Sequence, residues 1–474
     1  MSNEQVRQRQ ANLEALRALG VEPYPYRYDA THHTAQVIEG FDALSAAGER
    51  VSLAGRLMAL RSHGKSTFAH LQDAEGRLQL YFKLDVVGEA VYAVVKLLDL
   101  GDLVGVKGTL FRTRTGEMTV EVRELTFLAK CLRPLPEKWH GLKDTETRYR
   151  QRYLDLIVPE DAQRIFRGRA KLIRALRAFL DERGFLEVDT PVLQALYGGA
   201  FARPFVTHHE ALDMDLYLRI SDELYLKRLI VGGLERVYES ARDFRNEGID
   251  RTHNPEFTML EFYQAYADYE EMMEVTEALI AQAVREAVGG YQVTVREHTV
   301  DFSPPWQRVG YFDAVREATG VDLSAASEAE VRAAAGRLGI DLKGKVGIAQ
   351  AIDEIFSETV EANLIQPTFV TDFPLELSPL AKRHRSGRRV VERFELFVAG
   401  MEIANAFSEQ NDPAAQQAAF ELQADLREAG DMEAQPTDTD YLRALETGMP
   451  PTGGVGIGID RLVMVATGAG NIRE

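Results

Sequence analysis

The sequence predicts an α+β fold in two parts, a small five-stranded β-barrel followed by a larger domain of mixed strands and helices. Three observations carry that expectation. From Val51 to about Leu128, apolar residues alternate with period two in five short segments, with one helical stretch among them. A segment broken by two prolines, "CLRPLPEKWHGLKDTETRYRQRYLDLI", then interrupts all regular patterning. Beyond it, helical and strand-like patterns alternate to the end of the chain without internal repeats or low-complexity runs. A length of 474 residues suits two to three domains, and a hydrophobic content of 45% is enough for sizeable cores and excludes wholesale disorder.

Residues 4–19 have helical spacing (Val6, Leu13, Leu16, Leu19) and stop at Gly20, a good C-terminal cap. "VEPYPYRY" reads as an extended linker, because each proline disfavours helix for the residue before it. The strands "VSLAGRLMAL", "STFAHLQD" and "RLQLYF", the helix "VGEAVYAVVKLLDLG", and the strands "DLVGVKGTLFRT" and "EMTVEVRELTFL" around a Thr115-Gly116 turn follow. That order matches a five-stranded oligonucleotide-binding (OB) barrel, whose strand 2–3 face commonly carries aromatic and basic groups. Phe68 with Arg61 and Lys65 fits such a face; Phe68 fits barrel core equally well. After the boundary, with its basic cluster Arg148, Arg150 and Arg152, a helix runs from Asp161 to Arg183, and "FLEVDTPVL" reads as a strand. The expected division is a helix plus barrel over 1–130, a linker over 131–150, and a second domain over 151–474 with a mostly helical insertion at about 311–365.

Composition narrows the classes. A single cysteine, Cys131, excludes an internal disulfide and a cysteine-rich zinc site, and suits a reducing compartment such as the cytoplasm. No apolar signal region and no run of 18 apolar residues is present, so neither a signal peptide nor a membrane span is expected. The net charge of −18 argues against a nucleic-acid binder when taken whole. It is uneven, however: residues 1–150 carry 21 Lys and Arg against 19 Asp and Glu, the remainder 34 against 54. An acidic second part suits a cationic small ligand, a divalent metal, or simple solubility.

Three motifs raise chemical questions. In "FRNEGIDRTHNPEFTMLEFY", strand alternation puts Phe257, Met259, Glu261 and Tyr263 on one face. A carboxylate among apolar groups needs a cationic partner, either a basic side chain elsewhere or a ligand's ammonium. "GGVGIGIDRLVMVATG" runs a glycine-rich strand into a helix, with Asp460 expected at the N-cap and Arg461 in the first turn. A cation there sits at the unfavourable end of the helix dipole, which an anion docking at the same place would offset; an arginine reaching into water is the alternative. A dinucleotide fingerprint fails because no βαβ unit follows, and no phosphate-binding P-loop is present. In "RFELFVAGMEIANAFSEQND", Glu395, Glu402 and Glu409 recur every seven residues, but β-formers and Gly400 favour strands. Carboxylates near a phosphate site are usual Mg²⁺ ligands; a solvated acidic edge is the alternative. "ISDELYLKRLIVGGL" opens a helix at Ser221 with Glu223 favourable to its dipole, and the adjacent His208 and His209 would point to opposite strand faces, which speaks against metal ligation.

Together these pieces resemble the class II aminoacyl-tRNA synthetases. "FRNEGIDRTHNPEFTMLEFYQAYADY" resembles their motif 2, "GIGIDR" motif 3, and the helix and strand of Asp161–Pro191 motif 1, the dimer element. "RPLPEKWHGLKDTETRYRQRYLDLI", "GGAFARPF" and "NAFSEQND" resemble the lysyl-tRNA synthetase family in particular, over almost the whole chain. The resemblance implies an antiparallel catalytic sheet flanked by helices, a homodimer formed through motif 1, and attachment of L-lysine to tRNA(Lys) through a lysyl-adenylate, with ATP as substrate and up to three Mg²⁺ per subunit. It implies that Arg245 grips the α-phosphate and Arg461 the γ-phosphate of ATP, and that Glu247, His253 and Asn254 hold the adenosine and phosphates while Phe257 stacks on adenine. Glu395, near the ATP, and Glu402 would carry Mg²⁺. Gly199 and Glu223 would receive the α-amino group of lysine and Asn405 its carboxylate; Glu261, Tyr263 and Glu409 would receive the ε-ammonium, with Phe407 along the aliphatic stem. On the barrel, Arg61, Phe68, Gln79 and Glu117 would read the anticodon. Ala404 and Ala406 stand where some family members have glycine, and the chain stops a few residues short of the usual pattern, which implies a shortened final helix. Two rival readings are a related ligase that modifies a protein and a non-catalytic RNA-binding relative.

Overall fold

The computed structural model describes residues 3–136, 144–157, 160–343, 347–428 and 436–474; the middle of the proline-broken boundary lies outside them. The chain forms two compact units, residues 1–158 and 159–474. In the first, strands β1 (Val51–His63), β2 (Ser66–Gln72), β3 (Arg77–Lys83), β4 (Leu103–Arg112) and β5 (Met118–Ala129) close a barrel in the order β1-β2-β3-β5-β4. This is the expected five-stranded barrel, with the Leu84–Val95 helix between β3 and β4. Period-two alternation does the work: Val51, Leu53, Leu57, Leu71, Leu80, Val104, Val106, Val120 and Val122 turn inward and are completely buried. The Asn3–Ala18 helix contributes Leu16 to the same core. Two short helices, Thr34–Glu39 and Phe41–Ala46, precede β1 and were not anticipated.

The second unit is built on an eight-stranded sheet. In chain order the strands are β6 (Leu186–Glu187), β7 (Leu193–Gln194), β8 (Val206–His209), β9 (Met214–Leu218), β10 (Arg236–Phe244), β11 (Glu256–Ala265), β12 (Gln292–Val295), β13 (His298–Asp301), β14 (Gln307–Gly310), β15 (Thr368–Thr371), β16 (Arg393–Val398), β17 (Met401–Ser408) and β18 (Thr452–Gly458). The large sheet runs β14-β15-β16-β17-β18-β11-β10-β6, antiparallel except for the parallel pair at each edge. β7, β9 and β8 form a small separate sheet, and β12 and β13 a hairpin. "FLEVDTPVL", expected as one strand, is instead two short pieces in different sheets, β6 and β7; Pro191 between them has no N–H to continue a ladder.

The two faces of the large sheet have opposite characters. On one, Leu260, Phe262, Leu396, Ala404, Ala406, Val455 and Ile457 share a single core with the Glu160–Glu182, Tyr269–Val288 and Ile459–Thr467 helices. Ala404 and Ala406 are therefore packing residues, 1% exposed each. The other face carries the site. The last helix ends at Gly468 in a left-handed cap (φ +70°), so the cap sets its length.

Candidate active site

Four strands build one floor. Phe257, Met259, Glu261 and Tyr263 of β11 alternate onto the face opposite the helical core, as their spacing dictates. β18 lies between β11 and β17, with Glu261 and Asn405 both opposite Gly456, and Tyr263 and Phe407 both opposite Gly454. A Cβ on Gly454 would lie 2.1 Å from a Glu409 oxygen and 2.4 Å from the Tyr263 ring. Gly454, Gly456 and Gly458 line the cavity, whereas a Cβ on Gly453 would lie 2.5 Å from Met272 on the helical face. Glu395 pairs with Asn405 and Arg393 with Phe407 across β16 and β17. The result is a cavity of about 360 Å³ lined by every residue named above for ATP, lysine and magnesium, from Gly199 and Glu223 to Glu409 and Arg461. Gly199 has φ +90°, a conformation that favours glycine, and approaches Ser221 and Glu223 closely.

One end of the cavity is acidic and buried. Glu261 is 5% exposed; it accepts from Ser221 Oγ at 3.0 Å and from Tyr263 OH at 2.9 Å, both neutral donors. Burial, reinforced by Asp243 and Glu223, pushes its carboxyl up to about 8. Glu223 and Glu409 differ: Lys227 Nζ pairs with both. The sequence reading left Glu409 and Glu223 to the ligand and missed Lys227. Burial alone would discharge Lys227, but the two carboxylates reverse that and hold it charged. Burial pushes both carboxyls upward, Glu409 well above the usual carboxylate range, against the pull of that one ammonium.

The other end is basic and more open. Arg245 lies 5.1 Å from the Phe257 ring centroid, and its backbone is fixed by a bond from its N–H to Pro255 O at 2.8 Å. His253 bonds Asp250 at 2.8 Å through Nδ1 and Arg461 at 2.9 Å through Nε2. Asn254 donates to Glu256 O at 2.6 Å, and Glu247 is exposed on the loop before it. Arg461 donates to the backbone and carboxylate of Glu402 at 2.9 and 3.2 Å. Arg393 meets Glu395 and donates to Asn405 Oδ1 at 3.0 Å. The expected helix N-cap at Asp460 is displaced: Gly458 caps, and Asp460 accepts from Thr258 N and Arg169 at 2.6 Å each, tying β11 and the Glu160–Glu182 helix to the last helix. Ser221 likewise precedes its helix, which runs Glu223–Val231 with Asp222 at the cap.

On the barrel, Phe68 sits on the outer face of β2 with Ser66 and His70, while Thr67, Ala69 and Leu71 face inward. Its ring lies 4.6 Å from Tyr81, which the sequence reading did not single out. Arg61 is its cross-strand partner and is exposed; Glu117 is exposed and bonded to His70 at 3.1 Å. Gln79 is buried and accepts from Thr119 Oγ1 at 3.2 Å.

Lys227 was legible in principle, because Glu223 and Lys227 stand four apart on a helix. Arg393 and Glu395 stand two apart on a strand and so share a face. Asp222 and Asp243, buried beside Glu261, had no signal in spacing or composition.

Residues 144–474 match the family of class II tRNA synthetases (D, K and N), and residues 51–128 match the OB-fold nucleic acid binding domain. The chain is 56% identical to the lysine–tRNA ligase of Moorella thermoacetica, over 98% of this chain and 94% of that one. It is 52% identical to that of Syntrophomonas wolfei over the same shares, and 51% identical to that of Pelotomaculum thermopropionicum over 100% and 94%. With likeness of this extent on a sheet, cavity and barrel of this form, the chain belongs to the class II tRNA synthetases, in the family of the lysine–tRNA ligases.

Proposed function

We propose that this chain joins L-lysine to tRNA(Lys) in two steps, lysyl-adenylate formation from lysine and ATP with release of pyrophosphate, then transfer of the acyl group to the terminal ribose and release of AMP. The observation that carries the reading is Glu261: a buried carboxylate met only by hydroxyls, at the closed, acidic end of a cavity whose other end holds arginines. A substrate with an ammonium at one end and a carboxylate aimed at a bound triphosphate fits that polarity. A neutral amino acid brings no ammonium to pair with the ionised form of Glu261 and forgoes that interaction, the circumstance in which discrimination reaches roughly 10⁴–10⁵.

The nucleophile is the α-carboxylate of lysine, ionised at neutral pH, so no side chain has to remove a proton. Arg245 and Arg461 align the phosphates and stabilise charge as it develops at phosphorus. Glu261 and Tyr263 take the ε-ammonium, Glu223 the α-amino group, and Asn405 the carboxylate; Glu409 acts on the ammonium through a field that it shares with Lys227. Glu395 and Glu402 suit Mg²⁺: burial pushes Glu395 up to about 8, with Glu402, Asp353 and Glu361 adding to a negative field that Arg393 only partly offsets. When bound, Mg²⁺ supplies neutralisation of phosphate charge.

The outer face of the barrel, with Phe68 beside Tyr81 and Arg61 exposed, suits stacking of anticodon bases, with Gln79 and Glu117 at its margin. Exposed Leu186 in the motif 1 segment, with exposed Leu193, Val206 and Leu212 in the segments that follow it, supports a homodimer. Among the described residues no helix is long and apolar enough to cross a membrane, and the single cysteine favours a reducing compartment such as the cytoplasm. The test is lysine-dependent ATP–pyrophosphate exchange followed by charging of tRNA(Lys). Exchange without charging would favour a ligase acting on a protein, and absence of both a non-catalytic relative.

A further inference from the structure

Two buried acids beside Glu261 have no part in the reaction just described. Asp222 caps the Glu223–Val231 helix and Asp243 lies on β10; both are 0% exposed and neither lines the cavity. They and Glu261 each bring a carboxylate oxygen within 4.8 Å of one another. Among the described residues no hydrogen-bond donor meets any of the four oxygens of Asp222 and Asp243. The nearest cation is Arg219, whose Nε is 3.3 Å from Asp243 and 3.8 Å from Asp222. That N–H, however, is engaged by Arg242 O at 2.9 Å, and NH1 by Glu239 at 2.7 Å. No N–H of the helix reaches the Asp222 side chain either.

Glu261 holds its own proton in the lysine-free protein, yet Asp222 and Asp243 both ionised would still exceed what one arginine, shared with Glu239, offsets. One proton held between the two aspartates removes the excess and satisfies the orphaned oxygens, since one carboxyl then donates and the other accepts. We propose that Asp222 and Asp243 hold one proton between them, Asp222 as donor and Asp243 as charged acceptor, and act as positioning residues that set the field in which Glu261 ionises when the substrate ammonium arrives.

The assignment of roles follows from the neighbours. Asp243 lies nearer Arg219 and is also favoured by Arg245, whereas Asp222 is disfavoured as an anion by Glu261, whose carboxylate forms when the ammonium arrives. Burial, then Glu261 and Asp243, push Asp222 well above the usual carboxylate range; Asp243 is raised by burial but held back by Asp222, Arg219 and Arg245. Of the other titratable groups on the packed elements, Glu239 pairs with Arg219, Tyr263 bonds Glu261, and Glu223, Lys227 and Glu409 pair among themselves; Arg236 and Arg242 of β10 are exposed, Tyr238 bonds Asp181, and Arg228 pairs with Asp438.

This inference rests on Glu261 as the seat of the ammonium. Below the midpoint of Glu261, lysine must displace its proton; the arriving ammonium and the new carboxylate then cancel in the field of Asp243. Above that midpoint only the ammonium arrives, and Asp243 attracts it. Asp243→Asn is therefore expected to move the acid limb of the KM for lysine to lower pH and to raise KM at the alkaline end, leaving KM at the acid end and kcat of exchange unchanged. Asp222→Asn, which replaces a protonated carboxyl by a neutral donor of the same shape, is expected to move neither. If Asp243→Asn does not fold, the double variant D222N/D243N should show the same shift. Equal shifts in both single variants, or none in D243N or the double variant, would overturn the proposal. So would a metal retained stoichiometrically by the dialysed wild-type protein and lost in D222N, which would mean that a cation and not a proton fills the cluster. Glu261→Gln separates the two levels: if it leaves the KM for lysine unchanged, the reading of the pocket fails, whatever the aspartates do.

Discussion

The barrel and the large sheet treat buried charge differently. In the barrel unit, the buried ammonium of Lys130 is met by Asp99 at 2.6 Å and Asp102 at 2.8 Å, and these carboxylates also accept from Asn12 Nδ2 and from the backbone N–H groups of Asp99 and Cys131, so the group is complete within the chain. On the sheet, Glu261 is equally buried but meets only Ser221 and Tyr263 hydroxyls. A charge closed by its own chain is a structural device, and one left without countercharge is a place for a ligand. Lys227 stands between these cases, since it pairs with Glu223 and Glu409 but no further donor among the described residues meets the Glu409 carboxylate.

The largest effect expected from breaking this comparison lies at Lys227. Lys227→Met removes the ammonium that pairs with both Glu223 and Glu409, and breaking a buried pair from one side costs about 3–5 kcal/mol. Urea unfolding should show that loss of stability. A loss below about 1 kcal/mol would mean that the carboxylates take up protons instead and that Lys227 does not hold them charged.

Next comes Arg245, which the comparison puts among the groups left open for a ligand. Arg245→Ala is expected to lower ATP–pyrophosphate exchange by at least about 10², the scale for losing one group that stabilises developing charge. A near-wild-type rate would remove Arg245 from the phosphate site.

These contrasts also mark what the sequence made legible. The barrel was readable because one face of each strand is apolar and the other is not, so period two survives in the letters. The floor of the site was readable for the same reason: Glu261 breaks an otherwise apolar alternation. What stayed hidden is what depends on strands and helices distant in sequence. Asp243 reads as one more polar residue of β10, and only the fold brings it beside Asp222 and Glu261. The partners of Asp460, Thr258 and Arg169, lie 202 and 291 residues away, so its displacement from the cap had no local signal. Pro191, by contrast, was a local signal for the break between β6 and β7 that the strand pattern outweighed.

The barrel supplies a smaller effect that sharpens the same contrast. Its outer face is expected to act by stacking and not by buried charge, so Phe68→Ala should weaken tRNA charging by about 1–3 kcal/mol and spare exchange. Equal loss in both assays would move Phe68 from recognition to stability.

The smallest expected effect tests Glu261 as an open charge without touching the reaction. Its carboxyl is raised to about 8 by burial, then by Asp243 and Glu223, with Asp222 and Glu409 on the same side and Tyr263 bonded to it. A raised carboxyl keeps its proton in the folded chain while the unfolded chain has already lost its own, so its contribution to stability is complete below the ordinary carboxylate range and falls as pH rises toward 8. Between pH 7 and 8 the lysine-free protein should lose about 1 kcal/mol more than Glu261→Gln does, the amount that one such group supplies over that interval. Saturating lysine should abolish the difference, because an ammonium beside Glu261 favours the ionised form and removes the penalty. Identical pH dependence in wild type and Glu261→Gln would mean that Glu261 is already ionised in the free protein, and the countercharge would then have to come from the chain itself, as it does for Lys130.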